Sequence, residues 1–288
     1  DSLVYQHRVN GEGYSAASRD TFALLEGLED GLYTLEVRAI DLAGNEDPTP
    51  DTRTFTLDTM PPSLVLQSGP NEGEHAPSDT VDFLWSATDL ITPELDITYS
   101  YRLDDEPFSS AGPDTYASYG GLSEEPHLFE VVAEDLAANR DTLSRNFVVD
   151  LTAPEALIVD GPSEGEYIPW STVTLSWSGT DNLSAPEELL FSRRLDEQEW
   201  SAYGDTTTLS FAGLTEGSHV FRVRAKDQAG HVSSAADSVT FTVALIDLEL
   251  SVFAAPDTSR FDILTELTWT VRNSGTGTAS GWTDLVYI

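Results

Sequence analysis

The chain has 288 residues, enough for about two or three domains. Its formal net charge of −36 excludes nucleic acid and anionic membranes as expected partners, because the surface repels both. It has no cysteine, which excludes disulfides, zinc–thiolate sites and thiol chemistry.

The first predicted element is a strand at the start of the chain, "DSLVYQHRV" (1–9), followed by "NG" (10–11), a typical hairpin turn. A second predicted strand (33–39) is apolar at alternate residues, which indicates one buried face. Its apolar positions are Tyr33, Leu35, Val37 and Ala39. Because the chain also ends in a strand-like stretch (284–288), we expect a fragment of a longer protein whose first unit lacks its N-terminal strands.

The segment that contains this second strand recurs along the chain. Residues 33–47, "YTLEVRAIDLAGNED", match residues 127–141 and 219–233. The aligned aspartates are Asp41, Asp135 and Asp227, so the copies are separated by 94 and 92 residues. A period of that length predicts one small domain per copy.

A tryptophan-bearing strand is shared by the second and third copies, where 68–89 matches 160–181. Large apolar residues occupy every second position toward Trp85 in one copy and toward Trp177 in the other. The inward positions are Val81, Phe83 and Trp85, and Val173, Leu175 and Trp177. Short strands separated by Gly, Pro, Asp and Asn, without a helical stretch, predict an all-β fold of antiparallel sandwiches.

Proline-bearing linkers follow the last strand of the first and second copies, "LDTMPPS" (57–63) and "VDLTAPE" (149–155). Proline stiffens such a joint, so we expect an elongated array of sandwiches with limited bending. The predicted domains are a partial sandwich at 1–59, complete sandwiches at 60–151 and 152–244, and a partial sandwich at 245–288.

The repeats resemble a known family. "LEDGLYTLEVRAIDLAG" (28–44) resembles the sixth-strand signature of fibronectin type III domains, and a Trp on the second strand (Trp85, Trp177) is typical of the same family. The D-x-A-G-N turn ending and the D-x-T-x-P linker resemble bacterial immunoglobulin-like repeats of large secreted and surface proteins. The resemblance covers about 1–244 and implies tandem immunoglobulin-like sandwiches.

The C-terminal segment (245–288) differs from the repeats. Its stretches "DLELS" (247–251), "LTWTVRNSGTGTA" (267–279) and "GWTDLVYI" (281–288) resemble the first half of the bacterial cell-adhesion-related (CARDB) domain. That family consists of β-sandwich modules of extracellular proteins, so the resemblance implies an adhesion role. Leu267, Trp269 and Val271 alternate with threonines, which predicts a strand independently of the family.

Catalytic residues are not indicated. His127 and His219 occupy the Tyr33 position at the start of a strand. A position that accepts Tyr or His favours a packing or hydrogen-bond anchor over a catalytic base. The chain contains no nucleophile elbow, phosphate loop or metalloprotease motif, and we expect no enzymatic activity in it.

Calcium is the one cofactor that the pattern indicates. In a seven-strand sandwich the incoming chain and two of the loops lie at the same pole, which brings acidic residues together. The predicted ligands are Asp58, Asp89, Asp135 and Asn139 for the second unit, and Asp150, Asp181 and Asp227 for the third. Oxygen ligands of this kind suit Ca²⁺, which would stiffen the joint. The alternative is that each Asp only caps its own turn.

Aromatic residues after the third-strand turn recur at Tyr14, Phe108 and Trp200. Together with Tyr116, Tyr119 and Tyr203, they offer rings that could stack on sugars. The alternative, which we favour, is that each recurring ring packs under its own hairpin. The outward face of the sixth strand changes from Glu36 and Glu130 to Arg222, which indicates a solvated face.

The sequence therefore predicts a non-catalytic extracellular spacer or adhesion region of a secreted or surface-attached bacterial protein. The alternatives are an accessory stalk of a secreted hydrolase whose catalytic domain lies outside these residues, and a carbohydrate-binding module. Cell-surface proteins or glycans are the expected partners of a monomeric chain. No apolar run approaches about 20 residues, so no membrane insertion is expected.

Overall fold

The structure, a computed structural model, describes residues 3–254 and 268–277. The chain divides into two compact units, Asp1–Val149 and Asp150–Ile288. The finer division into four domains stays a prediction. Two parts of the predicted C-terminal domain, Leu267 and the stretch at 281–288, lie outside the described residues.

The described regular structure consists of nineteen strands and two short 3-10 turns. The strands are β1 (Val4–Val9), β2 (Gly31–Ile40), β3 (Asp51–Leu57), β4 (Ser63–Ser68), β5 (Glu74–Ala76), β6 (Val81–Thr88), β7 (Thr98–Leu103), β8 (Tyr116–Tyr119), β9 (Pro126–Glu134), β10 (Arg140–Val149), β11 (Glu155–Asp160), β12 (Glu166–Ile168), β13 (Thr172–Thr180), β14 (Leu190–Leu195), β15 (Thr208–Ala212), β16 (Gly217–Lys226), β17 (Asp237–Val243), β18 (Leu248–Ala254) and β19 (Thr268–Asn273). The 3-10 turns are Glu94–Asp96 and Pro186–Glu188. Within the described ranges, no helix has the length and apolar character needed to cross a membrane.

The second copy of the repeat is a complete sandwich. One sheet has the order β4-β6-β8, and the other has the order β5-β10-β9-β7, in which β5 pairs parallel to β10. The aromatic side chains of both sheets meet between them, and the rings of Phe83 and Phe129 stack with centroids 3.9 Å apart. Trp85 and Phe147 complete this core and are almost fully buried. The predicted inward face of the tryptophan strand is therefore confirmed.

The third copy repeats the same topology with different strands. Its sheets have the orders β11-β13-β15 and β12-β17-β16-β14, and β12 pairs parallel to β17. Leu175, Trp177, Phe221 and Phe241 fill the core and are at most 2% exposed. The recurrence of a three-stranded sheet against a four-stranded one confirms the all-β sandwich prediction.

The first copy contributes a three-stranded antiparallel sheet of order β1-β2-β3. The predicted turn is present, since Asn10 and Gly11 adopt positive φ angles of 49° and 74° after β1. The predicted apolar face of β2 is only partly covered. Val37 is 36% exposed, whereas its equivalent Val131 is fully buried. No second sheet of the described residues packs on this face, which instead borders an apolar groove of about 590 Å³.

Candidate functional site

A group of three carboxylates lies at one end of the second sandwich. Asp58 lies in the segment between β3 and β4, Asp89 follows β6, and Asp135 follows β9. Each offers one oxygen, and these oxygens all lie within 4.8 Å of one another. The structure thus brings together three side chains that are up to 77 positions apart in the sequence.

Two of these aspartates also fold their own loops. Asp89 Oδ1 accepts hydrogen bonds from the N–H groups of Ile91 and Thr92, at 2.8 and 2.7 Å. Asp135 Oδ1 accepts the N–H groups of Ala137 and Asn139, both at 2.8 Å. These are the turn contacts expected of Asp in such loops. Turn capping and clustering therefore occur together, although the sequence presented them as alternatives.

Asn139, the fourth predicted ligand of this group, acts in the structure as a hydrogen-bond donor. Its Nδ2 donates to Asp135 Oδ2 at 2.9 Å and to the backbone carbonyl of Asp58 at 3.2 Å. The amide thus joins the turn after β9 to the segment that leads into the sandwich. A role of its carbonyl oxygen as a ligand stays a prediction.

The third sandwich has a matching group formed by Asp150, Asp181 and Asp227, again with one oxygen of each within 4.8 Å of the others. Asp150 is fully buried and Asp227 is 4% exposed. Asp181 Oδ2 accepts the N–H groups of Leu183 and Ser184, and Asp227 Oδ1 accepts that of His231 at 2.8 Å. In both Asp181 and Asp227, one carboxylate oxygen accepts the hydrogen bonds of its loop, and the other oxygen is available to a different partner.

The free oxygen of Asp227 is the least expected feature of this group. Asp227 Oδ2 is buried and accepts no hydrogen bond from the described residues, and Asp181 Oδ1 is in the same condition. A buried carboxylate oxygen without a partner destabilises the folded state, because it has lost its hydrogen bonds to water and has formed none in the protein.

His231 takes the place of Asn139 in the third sandwich. Its Nε2 donates to the backbone carbonyl of Asp150 at 2.9 Å, as Asn139 does to Asp58. Asn139 and His231 each lie 81 residues after the aspartate whose carbonyl they contact, so the two side chains make the same connection in the two sandwiches.

The electrostatics of the two groups follow from burial and from the proximity of like charges. Burial raises the pKa of Asp58, and the charges of Asp89 and Asp135 raise it further. Burial also raises the pKa of Asp227, the carboxylate of Asp150 adds to this effect, and the hydrogen bond from His231 opposes it. Both groups thus concentrate negative charge where water is scarce.

The two aligned histidines are structural anchors in this fold. His127 is 5% exposed, and its Nδ1 lies 2.8 Å from Asp104 Oδ2 while Nε2 lies 3.0 Å from the Ser123 carbonyl. His219 makes the same pair of contacts with Asp196 and Thr215. Tyr33, at the same position in the first copy, donates to the Glu29 carbonyl at 2.7 Å. These contacts occupy both ring nitrogens, as expected of an anchor rather than a base.

These contacts set the protonation preference of the two rings. Burial opposes the charged form of His127, but the hydrogen bonds with Asp104 and the Ser123 carbonyl outweigh it and raise the pKa. The pKa of His219 is raised in the same way, by Thr215 and Asp196 against burial. Both ring nitrogens face oxygen acceptors, and only the imidazolium form donates from both.

Asp104 and Asp196 were not singled out in the sequence. They align with Asn10 of the first copy, and all three residues have positive φ angles, of 54°, 53° and 49°. Their side-chain oxygens accept the N–H groups of Leu128, Val220 and Thr34, respectively, each at 2.8 Å. The signal was available in the aligned stretches "RVN" (8–10), "RLD" (102–104) and "RLD" (194–196).

The recurring aromatic residues stack against arginines of their own copy. Guanidinium groups lie over the rings of Tyr14 (Arg38, 3.8 Å), Phe108 (Arg102, 4.6 Å) and Trp200 (Arg224, 4.4 Å). Tyr119 packs against Phe83 in the core, and Tyr116 donates to Asp82. Tyr203 lies beside Lys226. These contacts favour the interpretation that the rings belong to their hairpins.

Comparison with known proteins identifies related regions in bacterial enzymes. The chain is 26% identical to Endoglucanase B of Cellulomonas fimi, over 96% of this chain and 29% of that protein. It is also 26% identical to Chitinase A1 of Niallia circulans, over 65% of this chain and 27% of that protein. Among solved structures, it is similar to the fibronectin(III)-like modules of Clostridium thermocellum CbhA, with 14% identity, 62% and 93% coverage and a TM-score of 0.41. No family model matches the chain, which spans under a third of either enzyme.

Proposed function

We propose that the chain is a non-catalytic spacer region of a secreted bacterial protein. The observation that carries this proposal is that the same sandwich occurs twice in the chain. The polar residues that are aligned between the two copies make contacts that stabilise the fold. His127 and His219 make equivalent buried contacts, and so do Asn139 and His231. A site of chemistry has no reason to appear in equivalent form at domain spacing, whereas a spacer gains reach from each added copy.

The second candidate is the accessory stalk of a secreted polysaccharide hydrolase, and the sequence relatives favour it. Both enzymes match over only about a quarter of their length, and their names denote different substrates. A region shared by an endoglucanase and a chitinase cannot be what distinguishes glucan from chitin. It fits a part that both enzymes carry beside their catalytic domains, outside the cell.

An adhesion role and a carbohydrate-binding role have less support. The adhesion role rests on the resemblance of the tail (245–288) to the cell-adhesion-related domain. The carbohydrate-binding role needs exposed rings, whereas Trp200 is partly covered by Arg194 and Arg224. The carbohydrate-binding role is therefore one outcome of the retention assay that tests the spacer proposal.

The test is a set of assays on the full chain. We expect no release of reducing sugar from carboxymethylcellulose or chitin, and no retention of the chain on insoluble cellulose or chitin. Hydrolysis above the level of a heat-denatured control would overturn the spacer proposal. Retention on a glycan that is lost in Trp200→Ala, and kept in the equivalent Phe108→Ala variant, would replace it with the carbohydrate-binding function.

A further inference from the structure

We propose that the third sandwich binds a calcium ion between Asp150, Asp181 and Asp227, and that Asp58, Asp89 and Asp135 form the equivalent site in the second sandwich. The proposal does not depend on the spacer function, since a sandwich of any role can hold a metal. It rests on the carboxylate oxygens of the third group that accept no hydrogen bond from the described residues, Asp181 Oδ1 and Asp227 Oδ2.

The distances within the two groups suit calcium. Calcium binds oxygen at about 2.3–2.6 Å, so two oxygens on one ion lie at most about 5 Å apart. In both groups the three carboxylate oxygens lie within 4.8 Å of one another. One ion can therefore reach all three without any loop moving far. Backbone carbonyls and water supply the remaining ligands of the six to eight that calcium takes.

The buried oxygen of Asp227 also favours a bound cation. Its residue is 4% exposed, and Oδ2 accepts no hydrogen bond from the described part of the chain. Oδ1 accepts the His231 N–H, whereas Oδ2 has no partner among those residues, and the carboxylate belongs to a group of three acids. A cation is the partner that satisfies a desolvated carboxylate oxygen with acidic neighbours.

The negative charge of the third sandwich's group favours a cation as well. None of the ion pairs among the described residues involves Asp181 or Asp227, so no arginine or lysine neutralises these two carboxylates. Three carboxylates at this distance repel one another strongly in a poorly solvated site. A divalent ion between the carboxylates attracts all three of them and so offsets their mutual repulsion.

The identity of the ion follows from the ligands. The three side chains offer only carboxylate oxygens, which suit hard cations rather than zinc or copper. The ligands come from three separate loops, and calcium tolerates the irregular geometry that such loops give. Magnesium requires a near-octahedral shell at about 2.0–2.1 Å and loses its water reluctantly.

The loops are already folded without the ion. Asp181 Oδ2 holds the loop after β13, and Asp227 Oδ1 holds the turn after β16. His231 holds the Asp150 carbonyl. Calcium binding therefore requires little reorganisation, and its effect is to raise stability rather than to create the fold. For an extracellular module of this kind we expect a Kd of about 10⁻⁴–10⁻³ M.

The test is isothermal titration of the chelator-treated full chain with CaCl₂ in 0.15 M NaCl, beside thermal unfolding in chelator and in 10 mM calcium. We expect two sites per chain and a rise in Tm of roughly 5–10 °C. Asp227→Asn should remove one site, and Asp135→Asn the other. Asp41→Asn changes the aligned turn of the first copy and should keep both.

The outcomes separate binding from general charge screening and from misfolding. An ion atmosphere only would give heats that 10 mM MgCl₂ abolishes and that Asp227→Asn leaves unchanged, and this would overturn the proposal. One site lost in Asp227→Asn and none in Asp135→Asn would restrict it to the third sandwich. Asp227→Asn should melt in chelator at or above the wild-type temperature, because repulsion is removed, so a lost calcium response cannot be attributed to unfolding.

Discussion

The turn after β2 and the turn after β16 begin with the same motif, but the pKa values of their aspartates are shifted in opposite directions. Asp41 and Asp227 each accept the N–H of the residue four positions on through Oδ1. Hydrogen bonds from Asn45 lower the pKa of Asp41, whereas burial and the Asp150 charge raise the pKa of Asp227. The motif determines the conformation of the turn, whereas burial and neighbouring charges in the surrounding sandwich determine the pKa of the aspartate.

The same contrast holds for the strands that precede these turns. Leu35 and Val37 on β2 are partly covered, whereas the aligned Phe129 on β9 and Phe221 on β16 are fully buried. The two complete copies have a tryptophan strand across the core, and the described part of the first copy has none. Strands with the same sequence pattern therefore contribute unequally to the free energy of unfolding.

The largest expected effect tests this difference at one aligned position. Phe129→Ala should lower the free energy of unfolding of its sandwich by about 3–5 kcal/mol, because it leaves a cavity beneath Phe83 and Trp85. Leu35→Ala should cost about 1 kcal/mol or less, because its face is already open. Hydrogen exchange resolved by peptide, with urea as the denaturant, measures the two changes separately. Equal losses would show that the face of β2 is covered as well as that of β9.

A smaller effect is expected at the two aspartates in the presence of chelator. Asp227→Asn keeps the hydrogen bond to the turn and removes one of three crowded charges, so Tm should rise by about 2–5 °C. Asp41→Asn removes a charge that its hydrogen bonds stabilise, so its Tm should fall slightly. Differential scanning calorimetry compares the two variants. A fall in both would mean that repulsion does not govern the buried group.

The histidines give a pH dependence that the first copy lacks. Because the folded-state pKa values of His127 and His219 are raised, their stabilising contribution is complete below about pH 6.5 and is lost as the pH rises through the folded values. The carboxylates facing His127 are Asp104 and Glu125, and Asp196 faces His219.

Thermal melts in chelator between pH 5 and 8 measure this loss. The variant His127→Tyr with His219→Tyr introduces the residue that the first copy has at Tyr33, and it should flatten the decline in Tm above about pH 6.5. An unchanged slope in that variant would assign the pH dependence to other groups.

The fold could be predicted from the sequence because the repeats supply the evidence three times. Alternation toward Trp85 and Trp177 defined the buried faces, and the shared pole of a sandwich placed the acidic residues in two groups. The roles of Asp104 and His231 could not be predicted in the same way. Each depends on which carbonyl or ring lies within 3 Å of a side chain, and strand periodicity carries no information about that distance.

The outward face of the third sandwich offers the smallest test of the same comparison. Arg8 opposes Glu36 on β2, and Arg102 opposes Glu130 on β9, with ion-pair distances of 2.6 and 2.5 Å. In the third copy Arg194 opposes Arg222, and Arg194 lies over the ring of Trp200. Arg222→Glu restores the pairing of the other copies, and it should stabilise the sandwich by about 0.2–1 kcal/mol.

Urea unfolding at 0.05 and 0.5 M NaCl measures this gain, which salt should reduce because the pair is partly exposed. The reciprocal variant Glu130→Arg should cost a similar amount in the second sandwich. A loss of stability in Arg222→Glu would show instead that the arginine is needed where it stands, as part of the layer of Arg224, Trp200 and Tyr203 on that face. The sign of this change in stability therefore shows whether the Arg194–Arg222 pair is a repulsion that the third sandwich tolerates or a contact that stabilises it.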